Sequence, residues 1–135
     1  MYDFLLFVHV LAAFCLMAVV VMYTAWALHA PAPPRLVLLA EILWGIGGAG
    51  TLIFGVWLVF NVDGYGILDG WIIAALVLWA LSAEAHRRAY TAIRPTAGID
   101  GAVIAADDVA MSRWSAIRAL LVLLLLFVMI FKPGA

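Results

Sequence analysis

Hydrophobic positions in this chain do not alternate with polar ones. They gather into four long blocks separated by short polar breaks. The first block, Phe4 to Leu28, carries no charge apart from the titratable His9. Its length of about 25 residues exceeds the roughly 20 that cross a hydrocarbon layer as a helix. The start, Met1-Tyr2-Asp3, has no basic residue, so a retained helix is expected rather than a signal peptide. The block ends at His29-Ala30-Pro31-Ala32-Pro33-Pro34-Arg35, where the prolines forbid a continuous helix. Leu36 to Phe60 is the second block. Asn61-Val62-Asp63-Gly64-Tyr65-Gly66 is a turn by composition. The third block opens at Ile67 or Trp71 and reaches about Arg87.

Tyr90 to Ala106 is mixed, and its Ile93, Ile99, Val103 and Ile104 are expected to keep it on a membrane surface. Asp107 is the expected N-cap of the last helix, with Asp108 beside the positive end of the helix dipole. That helix covers Val109 to Phe131, and Lys132-Pro133-Gly134 stops it. The first link is short, which predicts antiparallel neighbours. The expected fold is all-α: one domain over 1–135, an antiparallel bundle of four transmembrane helices at about 4–28, 36–60, 67–88 and 109–131.

Composition supports that class. The chain is 69% hydrophobic and 11% charged, against roughly 45–50% and 25% in soluble domains. Its net charge of −1 offers no basic surface to nucleic acid. Cys15 has no partner in the chain and reads as a buried apolar thiol.

Charge also orients the helices. Arg35, Arg87, Arg88, Arg94 and Arg113 fall on one side of the predicted bundle; Lys132 is the only basic residue on the other. Basic residues favour the cytoplasm. Loops 29–35 and 88–108 are therefore expected inside, and both termini outside, in a multi-pass protein of the cell membrane. Trp26, Trp71 and Trp114 are expected near the interfaces, with Tyr2 as a further anchor. Trp44, Trp57 and Trp79 are expected deeper, filling gaps.

The stretch from Glu41 to Gly55 is the predicted packing hub. Its glycines would weaken a helix in water, but lipid enforces internal hydrogen bonding. Gly47, Thr51 and Gly55 recur every four residues as one small-residue face, with Gly48 beside it. Small residues let a neighbouring helix approach closely.

Few residues could carry chemistry. Glu41 and Arg118 lie at similar depths, roughly 8–9 Å inside their loops. An interhelical ion pair that fixes register is the leading expectation. A proton or ion path through Glu41, or snorkelling without a partner, are the alternatives. Glu84 and Arg88 are spaced i, i+4 in the favourable order, with Arg87 at i+3, and predict a solvated local pair. His9 is the only ionisable group in the outer half of the first helix and is a possible functional residue, expected to bond a neighbouring helix or water. His29 and His86 sit at the other ends of their helices. They could meet there with Glu84, but without tight ligand spacing. Ser82, Ser112 and Ser115 have no base and acid positioned to make a triad. Gly45 to Gly50 lacks the lysine of a phosphate loop. Neither a metal nor a cofactor is expected.

Leu6-Phe7-Val8-His9-Val10-Leu11-Ala12-Ala13, the glycine-rich second helix and Met129-Ile130-Phe131-Lys132-Pro133-Gly134 together give the chain a family likeness. It resembles small bacterial four-helix predicted integral membrane proteins of unknown function. It is loosely similar to the membrane domain of copper-resistance D proteins. The latter likeness implies copper handling, which would fall on His9 alone; the Met and His cluster that copper needs is not around it, so only the fold is carried over. The functional expectation is a non-enzymatic accessory or scaffold subunit of a larger membrane complex. Its expected partners are lipid, other integral membrane proteins or further copies of itself. The alternative is a small transporter or a metal or proton permease using Glu41, Arg118 and His9.

Overall fold

The protein is described here by a computed structural model covering residues 2–30, 32–62, 64, 66–96, 103–106 and 108–132. It has four helices: α1 (Tyr2–Ala27), α2 (Pro34–Asn61), α3 (Gly70–Ala92) and α4 (Asp108–Phe131). Between α3 and α4 run two short strands, β1 (Ile93–Thr96) and β2 (Val103–Ala106). They pair antiparallel, with Ile93 opposite Ala106 and Thr96 opposite Val103. Here the expectation is corrected. The third helix continues past Arg88 to Ala92, and a ladder follows within the mixed connection expected over Tyr90 to Ala106. Backbone groups paired within the ladder need no water or side-chain partner. The expected N-cap Asp107 lies outside the described residues, as do Pro133 and Gly134.

The helix ends follow local chemistry. Pro34 opens α2, a position where its missing N–H breaks no helical bond. At the end of α1, Ala30 N–H donates to Ala25 O at 3.0 Å and His29 N–H to Trp26 O at 3.0 Å. His29 is left-handed, with φ 66°. That combination is a Schellman cap, usually made with glycine.

α1, α2 and α4 are each long and apolar enough to cross a membrane. α3 is not among them; Glu84, His86, Arg87 and Arg88 make its last third polar. α1 packs on α2, α3 on α4, and α1 also on α4. Neighbours run antiparallel: Tyr23 and His9 of α1 lie against Glu41 and Gly55 of α2.

The glycine-rich part of α2 meets α1 backbone to backbone. A Cβ on Gly47 would stand 2.9 Å from Ala12 O and 3.0 Å from Leu16 N. One on Gly50 would stand 2.8 Å from the Ala12 Cβ, and one on Gly55 3.0 Å from the His9 ring. Gly48 turns away from α1, and its carbonyl accepts from Trp79 Nε1 of α3 at 3.2 Å. Thr51 Oγ1 donates to the carbonyls of Gly47 and Gly48. Gly50, absent from the expected face, is thus part of it. Trp57, expected to fill a gap, is instead exposed.

The two ends of the bundle differ. At the end bearing the α1–α2 turn, Val19, Tyr23, Trp26, Ala32, Ala40, Ala89 and Met111 form a closed core. Towards the chain termini, all four helices line a cavity of about 530 Å³ that is open at its side, where Val10, Phe14 and Ile130 are exposed.

Candidate functional site: a polar network across four helices

Each helix sends one polar side chain to the same level of the closed end. Tyr23 comes from α1, Glu41 from α2, His86 from α3 and Arg118 from α4. Arg118 is fully buried and His86 is 4% exposed, while the Glu41 side chain is 27% exposed at the edge.

Arg118 Nη1 lies 2.8 Å from His86 Nδ1. Its Nη2 donates to the Val19 carbonyl at 3.2 Å, and the guanidinium sits 4.2 Å from the centre of the Tyr23 ring. His86 Nε2 lies 3.1 Å from Glu41 Oε2, and the Tyr23 hydroxyl donates to Glu41 Oε1 at 2.5 Å. The ring of Trp44 stacks on His86 at 4.0 Å and 14°.

Proton positions follow from these contacts. A guanidinium has donors and no acceptor, so His86 Nδ1 must accept. Its proton then sits on Nε2 and is donated to Glu41. Glu41 receives a second bond from Tyr23 and acts as an acceptor at both oxygens. Charge is thus set apart: positive at the centre of the bundle, negative at its edge, with a neutral imidazole between. Arg118 Nε has no hydrogen-bond partner among the described residues.

The expected Glu41 and Arg118 are brought to one site, but His86 stands between them. His86 had been placed at a helix end near His29 and Glu84. It is buried instead, because Ser82, Ala85, His86 and Ala89 form the inward face of α3. That i, i+3, i+4, i+7 pattern of small residues around one histidine was the available signal. Tyr23 and Trp44 gave none beyond their aromatic character. His29 is exposed and forms the α1 cap. Glu84 bonds Arg87 at 2.8 and 2.9 Å and Arg88 at 2.7 Å on the exposed side of α3. Arg88 also lies over Trp114 of α4, 4.7 Å from the ring centre. Among the described residues, no group of three or more His, Cys, Asp and Glu side chains is placed to hold a metal ion.

His9 lies apart from this network. It lines the cavity at the other end, together with Thr51, Trp71 and Trp79. Its Nδ1 is buried with no hydrogen-bond partner among the described residues, beside the backbone of Thr51. From Glu41 to Gly55, which touches His9, α2 rises roughly 21 Å.

Comparison with protein-family models, curated proteins and solved structures returned no match.

Proposed function

We propose that this chain is a non-enzymatic integral membrane protein of four transmembrane helices, serving as an accessory or scaffold subunit of a larger membrane complex. The observation that carries this reading is the outer face of α1. Phe4, Phe7, Leu11 and Phe14 are 66%, 63%, 52% and 67% exposed. Their 3-4-3 spacing is that of a helix seam prepared for a partner helix. The polar side chains of the network point the other way, into the bundle. A face this apolar belongs against lipid or another helix, and its three phenylalanines give it the shape to interdigitate with one. The test places a photoreactive residue at Phe4 or Phe7 in native membranes. A discrete protein adduct is expected from both positions; lipid adducts alone would remove the scaffold reading.

A second reading is a proton or ion permease. The partly exposed Glu41 carboxylate favours it, because hydrogen bonds run unbroken from there to the buried Arg118. His9, about 21 Å away along the bundle, enters such a path only through the cavity. Proton flux into proteoliposomes that is lost in Glu41→Gln, with the fold retained, would favour this reading.

A further inference from the structure

We propose that the cavity at the terminal end of the bundle is a binding site for a membrane-soluble ring compound bearing a carbonyl or hydroxyl oxygen and an apolar tail. Four observations converge on that chemistry. The volume of about 530 Å³ lies within the roughly 300–1,000 Å³ of small-molecule sites. The lining is apolar almost throughout and comes from all four helices. It extends from Tyr2 to Met17 along α1, fifteen residues or roughly 22 Å. A long, apolar space of that kind suits a tail better than a compact polar solute.

The third observation is His9. It is the one imidazole in the lining; its Nδ1 is buried against α2 beside Thr51 and Gly55, which leaves Nε2 as the ring nitrogen for a ligand. Nε2 donates to a carbonyl oxygen in one tautomer and accepts from a hydroxyl in the other. It lies about 10 Å along α1 from Tyr2, so the oxygen must be carried deep and cannot stay at a lipid headgroup. The fourth is the aromatic wall. Trp71 and Trp79 both line the space, and aromatic side chains favour a ring as neighbour, stacked or edge-to-face. An acyl chain would satisfy the walls but leave His9 against methylene groups. A charged solute would meet His9 and Lys132 but would leave its charge against walls that are apolar almost throughout.

This inference uses the membrane reading only for the source of the ligand. It is independent of the scaffold reading and of the Glu41 network.

The test uses the purified full chain in phosphatidylcholine nanodiscs with a benzoquinone bearing a ten-carbon tail as probe. Trp71 and Trp79 report binding through their fluorescence. Saturable quenching is expected. Ala13→Phe, which fills the cavity from α1, should abolish the saturable part. His9→Leu should weaken binding about two- to tenfold, the worth of one hydrogen bond. The matching quinol separates a hydroxyl from a carbonyl ligand, and decylbenzene lacks the oxygen altogether. Decylbenzene should compete less well than the better of the other two, and that difference should vanish in His9→Leu. Helical circular dichroism and gel filtration confirm that each variant is folded; if His9→Leu is not, the decylbenzene comparison in the unmodified protein decides. Quenching that never saturates, or that is unchanged in folded Ala13→Phe, would overturn the site. Equal competition by decylbenzene would overturn the role of His9. Loss of the protein from carbonate-washed membranes would instead count against membrane insertion, so the two failures are distinguishable.

Discussion

Arg118 and His86 meet nitrogen to nitrogen at 2.8 Å. Because the guanidinium can only donate, this contact fixes the imidazole proton on the far side of the ring, facing Glu41. Glu41 and Arg118 are therefore joined by a hydrogen-bonded path through His86, with Tyr23 touching both as a second bridge. A double-mutant cycle with Glu41→Gln and Arg118→Gln should give a coupling of about 0.5–3 kcal/mol, the range for members of one network. Repeating the cycle in a His86→Phe background should lower it to what Tyr23 and the bare charges supply. Phe keeps the stack on Trp44 and removes both nitrogens. Coupling undiminished in that background would mean the charges interact without His86. Arg118→Gln alone should be the costliest single change, about 3–5 kcal/mol, because it strands the partners of a buried ion.

Tyr23 contributes two separable interactions. Its hydroxyl bonds Glu41, and its ring lies under the Arg118 guanidinium. Tyr23→Phe removes only the first and should cost about 1 kcal/mol. Tyr23→Leu removes both and should cost about 2 kcal/mol more, the upper range for a desolvated cation over an aromatic face. Thermal unfolding in detergent ranks the two. Equal losses would show that the ring contact contributes nothing.

The glycines of α2 should separate into two classes. Gly47 and Gly50 face α1 at distances no side chain can occupy, whereas a Cβ on Gly45 meets nothing within 4 Å. Gly47→Ala and Gly50→Ala should each destabilise by about 1–3 kcal/mol through overpacking. Gly45→Ala should be neutral or stabilise by up to about 1 kcal/mol, the gain in helix propensity. A uniform response across the three would contradict the close approach of α1 and α2.

How much of this was legible depends on the residue. The four helices follow from block length, and the α1–α2 packing follows from Gly47 and Gly55. Depth counting put Glu41 and Arg118 at one level, because rise along a helix is fixed. Rotation about the helix axis was not available in the same way. His86 looks like a helix-end residue in a line of polar neighbours, and only its turn towards Ser82, Ala85 and Ala89 takes it inside. Trp57 turns outward and Gly50 towards α1 for the same reason. The antiparallel pairing of β1 with β2 depends on how far α3 runs, and nothing in Tyr90-Thr91-Ala92 marks its end. The cavity is a property of all four helices at once, and no single segment encodes it.

α3 is the helix whose relation to a membrane is most open to measurement. It is not among the three that qualify by length and apolarity. Its packing ties it to any crossing that the other three make. Trp71 and Ile72 line the cavity at one end, and His86 joins the polar network at the other. Those levels are fifteen residues apart from Trp71 to His86, roughly 22 Å along the axis, and α1 covers the same interval from the cavity to Tyr23. A helix packed antiparallel on α4 over that distance spans whatever α4 spans. Single cysteines at Gly66, Thr91 and Phe131, in a Cys15→Ala background, distinguish the arrangements in intact cells. With four crossings and the arginines inside, a membrane-impermeant thiol reagent should label Gly66→Cys and Phe131→Cys and spare Thr91→Cys until the cells are opened. If α3 does not cross, Gly66→Cys and Thr91→Cys should be labelled and Phe131→Cys protected. If the arginine rule is inverted here, only Thr91→Cys should react. Each pattern assigns a different number or direction of crossings, so one set of three variants decides whether α3 is a span and which end of the bundle, network or cavity, faces the cell interior.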